Sequence, residues 1–136
     1  MTRVSLFAIA LLIVTACKSP EQKLQKEIGQ AVSANGTLRL TAESWLNNRV
    51  PRAYARLAVR TTRDGLESES SRVAKLKLPA AGALQREMQS LRGVASDLQR
   101  GIENADRASV LRAHSQLVRS AAVLQKMLER EEAGGS

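Results

Sequence analysis

The stretch LQREMQSLRGVASDLQRGI, residues 84–102, decides the fold. Leu84, Met88, Leu91, Ala95, Leu98 and Ile102 recur at alternating spacings of four and three, the heptad of a helix with one apolar seam. Arginine, glutamine and serine predominate between them. Leu78-Pro79 stands just upstream. Proline suits the first turn of a helix and pushes the residue before it into extended geometry, which predicts a helix from Ala80 to about Glu103.

Working outward, Asn104 to Asp106 supply turn and N-cap chemistry for a further helix. Its expected stripe is Val110, Leu111, His114, Leu117, Val118, Ala121, Leu124 and Leu128. Upstream, Val50-Pro51 repeats the Leu-Pro punctuation and opens a helix to about Leu78. That stripe is poorer, with Tyr54, Leu57, Ala58, Thr61, Thr62, Gly65, Leu66, Val73 and Leu76. The first segment, from Glu21, carries Leu24, Ile28, Ala31, Val32, Leu38, Ala42 and Trp45 on one face, interrupted by Asn35. Asn35-Gly36 is a turn signal. The stripe nevertheless keeps its phase across it, which predicts one helix with a weak point costing about 1 kcal/mol for the glycine. Four helices joined by short connections form antiparallel neighbours. The expected class is all-α, an up-down-up-down four-helix bundle over residues 21–132 with a disordered tail at 133–136. With aromatic residues at 2% of the chain, its core must be aliphatic.

The start of the chain has a different character. Arg3 precedes an apolar run from Val4 that closes on Val14-Thr15-Ala16-Cys17, and Cys17 is the sole cysteine. The run is shorter than the roughly 20 apolar residues a membrane-spanning helix requires. A basic start, a short apolar stretch and small residues before a cleavage point make a secretory signal. The four residues resemble the lipobox of bacterial lipoproteins: a branched apolar residue, a small one, Ala or Gly, then Cys. That resemblance implies a signal peptide over 1–16 that is cleaved, a diacylglyceryl group on the Cys17 thiol, and a short tether over 17–20. It further implies a bacterial envelope location. Lys18 after the cysteine, rather than Asp, favours the outer membrane facing the periplasm in a diderm cell; a monoderm cell would carry the protein on the outer face of its plasma membrane.

Formal charge is +8 with an isoelectric point near 10.6. A basic balance attracts anionic surfaces such as phospholipid headgroups or acidic glycans, and no motif points to specific nucleic-acid binding. All the lysines but Lys126 fall at the end nearest the anchor: Lys18, Lys23, Lys26, Lys75 and Lys77. At the opposite end, Arg49, Arg52 and Arg56 have no acid at helical spacing, whereas Arg60 and Arg63 have Asp64 and Glu67 at i,i+4. Those three arginines are either a candidate anion or partner site or a solvated face. Trp45 and Tyr54 flank the same turn as a candidate aromatic tip, expected to pack across the first two helices.

His114 stands on the expected core stripe, with Thr61 and several alanines at similar height. This is either a candidate pocket lined by His114 and Thr61, or a ring that fills space and bonds a neighbouring hydroxyl or carbonyl. No haem, di-iron or phosphate-loop pattern is present, so no cofactor, metal site or catalytic residue is expected. The expected function is that of a non-enzymatic envelope lipoprotein, an interaction or structural module with a basic surface and an undetermined oligomeric state. The alternative is a small-ligand-binding or sensing bundle built around His114.

Overall fold

The computed structural model describes residues 19–134. The leader, Cys17 and Lys18 lie outside the described residues. Four helices follow one another: α1 (Pro20–Leu46), α2 (Arg52–Ala74), α3 (Pro79–Glu103) and α4 (Arg107–Gly134). At 1.5 Å per residue they span about 35 to 42 Å.

Local chemistry sets the ends. Ser19 and Gln22 form a capping box at the start of α1, each side chain taking the other's backbone N–H at 3.2 Å. α1 stops because Asn48 turns left-handed at φ 54°, letting Arg49 N–H donate to Ser44 C=O at 2.8 Å and Asn48 N–H to Trp45 C=O at 3.1 Å. α3 ends in the same way around Ala105, at φ 51°. Asp106 then caps α4, accepting from the Ser109 backbone at 3.1 Å and its hydroxyl at 2.6 Å. Those bonds, the hydroxyl's first, hold the Asp106 carboxyl below its usual range.

The helices form an up-down-up-down bundle. Antiparallel pairing is visible in side-chain links whose residue numbers rise on one helix as they fall on the other. Arg56–Glu103, Arg63–Gln99 and Glu67–Arg92 join α2 to α3 in this way. Asn35–Leu117 and Leu46–Arg107 join α1 to α4. α1 also approaches α3 across the centre, while α2 and α4 occupy the other, wider diagonal.

α1 is continuous through Asn35-Gly36. Asn35 is buried, and its Nδ2 donates to the Leu117 carbonyl at 2.9 Å, so the polar break in the stripe is a cross-helix link. α2 is shorter than expected, ending at Ala74. Leu78 is extended (φ −124°, ψ 145°) ahead of Pro79, and the chain needs residues 75–78 to reverse direction. α4 runs on through Ala133 to Gly134, into the segment expected as a tail, and Gly135 and Ser136 lie outside the described residues.

Two stripes are rotated from the expected ones. α2 buries Ala55, Val59, Leu66, Ser70 and Val73, leaving Tyr54 and Leu57 exposed. α4 buries Val110, Ala113, Leu117, Ser120 and Leu124, with Leu111 and Val118 facing outward. For α4 the cause is close approach to α3. At Gly101, a Cβ would meet Val110 Cγ2 at 2.9 Å, and Ser120 Oγ reaches Glu87 Oε1 at 2.6 Å. Small side chains at the inner edge admit the neighbouring helix, and larger ones turn away.

Candidate functional site

The far end of the bundle holds the α1/α2 turn. Arg49 and Arg52 are exposed there and have no side-chain partner among the described residues. Arg56 does not stay free as its sequence neighbours suggested. Its Nε lies 3.4 Å from Glu103 Oε1 on α3, an acid remote in sequence and adjacent in space. The expected i,i+4 pairs on α2 do not form either: Asp64 lies 4.0 Å from Arg63 Nε on the same helix, and Arg63 and Glu67 each turn to α3. Arg63 Nη1 donates to Gln99 Oε1 at 3.0 Å, and Glu67 faces Arg92 at 3.7 Å. Arg60 has no ion pair among the described residues and lines a groove of about 180 Å³ with Arg56, Leu57 and Gln99. Trp45 is half-buried against the core, but Tyr54 is 60% exposed and does not close the hairpin.

His114 lies at the α1/α4 seam. Its Nε2 is 2.9 Å from Glu43 Oε1, with both side chains partly in solvent. Thr61 is exposed on α2, the helix diagonally opposite α4. The structure therefore does not bring these two residues together. Similar height along the bundle axis says nothing about which diagonal a helix occupies.

The opposite end contains a cleft that no single stretch of sequence announced. Lys23, Lys26 and Glu27 of α1 meet Arg72 of α2, Lys75 and Leu76 around a space of about 450 Å³. Glu27 is buried at 7% exposure, and its Oε1 accepts from Arg72 Nε at 3.1 Å. Arg72 Nη2 reaches Gln30 Oε1 at 3.4 Å, so the guanidinium bridges two turns of α1. Among the described residues Glu27 Oε2 has no hydrogen-bond partner, and neither does the buried Oε2 of Glu69, one turn back on α2. Burial raises the Glu69 carboxyl above its usual 4.5, the charge of Glu27 raises it further, and Arg72 opposes both. Lys77 is exposed in the α2/α3 connection and is not part of the cleft wall.

Only the lysine cluster was legible beforehand. Glu27 precedes Ile28 at the edge of the core stripe, a position where a charge ordinarily reaches water. Its burial follows from Arg72 covering it. Among the described residues no group of three or more His, Cys, Asp or Glu is placed to hold a metal ion. No described helix is long and apolar enough to cross a membrane. Comparison with family models, with curated proteins and with solved structures finds no match.

Proposed function

We propose that the chain is a lipid-anchored, non-enzymatic envelope lipoprotein whose helical bundle acts as an interaction module through its basic surface. One observation carries this reading. The Val14-Thr15-Ala16-Cys17 motif is separated from the first residue of α1, Pro20, by only Lys18 and Ser19. A lipid on Cys17 therefore holds the start of α1 and the α2/α3 turn against a bilayer. The 27 residues of α1 carry the α1/α2 turn about 40 Å away, where Arg49 and Arg52 are open to a partner across the envelope. Unpaired cations at such a tip steer an anionic envelope component by long-range attraction, with modest effect on the bundle's own stability.

The decisive measurement is the mass of the mature N-terminus together with membrane fractionation. The wild-type chain should begin at an acylated Cys17 and pellet with membranes. Cys17→Ala should remain uncleaved or be released. A mature protein with an unmodified Cys17 would remove the basis of the reading.

A further inference from the structure

We propose that the cleft between the first turns of α1 and the last turns of α2 binds the phosphodiester headgroup of an anionic phospholipid. Its wall carries four cations, Lys23, Lys26, Arg72 and Lys75, against the one carboxylate of Glu27. Arg72 is committed to Glu27 and Gln30, which fixes the floor and neutralises the buried acid. The three lysines have no ion-pair partner among the described residues, and their ammonium groups are the ones left for a ligand.

Shape and composition select among anions. Leu76 and the methylene stems of the lysines supply apolar wall beneath the charged rim, so the cleft is amphiphilic. Inorganic phosphate uses only the rim. A glycerophospholipid uses both parts, its phosphate between the ammonium groups and its glyceryl and first acyl carbons along the stems. A space of about 450 Å³ admits one headgroup with that much of its tail.

Position favours the same ligand. Lys23 and Lys26 follow Pro20 by three and six residues, about 5 and 9 Å along α1. The proposed anchor at Cys17 would bring that depth to the headgroup layer; the assignment rests on the lipoprotein reading for this placement alone. A bundle held there at a single N-terminal attachment point is free to tilt, and a second contact on the neighbouring helix would fix its orientation.

The test uses the full chain purified in dodecyl maltoside, titrated with dihexanoyl phosphatidylglycerol and, separately, with glycerol 3-phosphate and inorganic phosphate. Binding is read by calorimetry and by amide chemical shifts. The lipid should bind more tightly than either free phosphate. Lys26→Gln and Lys75→Gln should each weaken it about fivefold, the worth of one basic contact near an anionic surface, and added salt should weaken it further. Arg119→Gln, the same charge change on α4, should leave binding unchanged. All three variants alter exposed side chains, so unchanged thermal melts separate lost binding from lost folding. Wild-type affinity in both lysine variants would overturn the site. Equal affinity for glycerol 3-phosphate and the lipid would overturn the lipid assignment. The N-terminal mass of the same preparation reports on Cys17 independently, so failure of the cleft and failure of the anchor are told apart.

Discussion

α2 and α3 form the most extensive helix pair of the bundle, yet the two are held in place by different means. α3 buries nine of its 25 residues, among them Leu84, Met88, Leu91, Leu98 and Ile102. α2 buries five of 23, and two of these are Ala55 and Ser70. α2 compensates with polar links on both flanks, to α3 through Arg56, Arg63 and Glu67 and to α1 through Arg72. The contrast separates two roles. Burying large aliphatic side chains supplies most of the folding free energy, at about 1.5 to 3 kcal/mol each. Exposed ion pairs contribute little energy, about 0 to 1 kcal/mol, but they set the register in which a weakly patterned helix lies.

The largest test of that division is Leu98→Ala. Leu98 is fully buried, and the truncation should cost about 2 to 5 kcal/mol in a denaturant melt, through lost burial and the cavity left behind. Wild-type stability in this variant would mean that the α3 seam does not hold the bundle together.

Glu69→Gln should have a smaller effect of opposite sign, and one that depends on pH. In the folded protein Glu69 keeps its proton to a higher pH than in the unfolded chain, because burial and then Glu27 disfavour its charge. The folded state thus binds more protons, and stability falls as pH rises through the window that opens near 4.5. Gln resembles the protonated form and escapes that loss. The variant should exceed wild type in melting temperature at about pH 7 and match it at about pH 3.5. A gain of equal size at both pH values would show that the carboxyl does not titrate abnormally.

Glu67→Gln is the smallest expected change. It breaks the 3.7 Å pair with Arg92, but Glu67 is 65% exposed, so the cost should stay below about 1 kcal/mol and shrink with added salt. A loss comparable to that of Leu98→Ala would erase the distinction between energy and register.

The helices differ in how far they could be read in advance. α3 was legible because its seam is made of large residues at heptad spacing, each of which signals burial by itself. In α2 and α4 the inner positions include Ala55, Ala113, Ser70 and Ser120, whose size and polarity carry no such signal. The larger Leu57, Leu111 and Val118 drew the expected stripe off its true centre, and all three face outward. Asn35-Gly36 is the converse case. Its local turn chemistry gave way to the apolar phase on either side, and the side-chain amide found its acceptor on α4.

The candidate sites divide along the same line. Residues close in sequence stayed together: Arg49 with Arg52 at the distal turn, Lys23 with Lys26 in the cleft. The pairings that change their meaning come from elsewhere in the chain. Glu103 takes Arg56 out of the free basic tip, Glu43 takes His114 to the α1/α4 seam, and Arg72 covers Glu27 so that a carboxylate forms the floor of a cationic cleft.

By itself the sequence determined the helical class, the number of helices and the places where the chain turns. Periodicity, proline and Asn or Asp at helix ends are local properties, and local sterics and hydrogen bonding enforce them. Only the tertiary structure decided the rotation of α2 and α4 about their axes, the partner of each charged side chain, and the meeting of α1 and α2 around the lysine-lined cleft. Those features depend on how closely two helices approach and which atoms then face one another, a relation between residues tens of positions apart that no local pattern encodes.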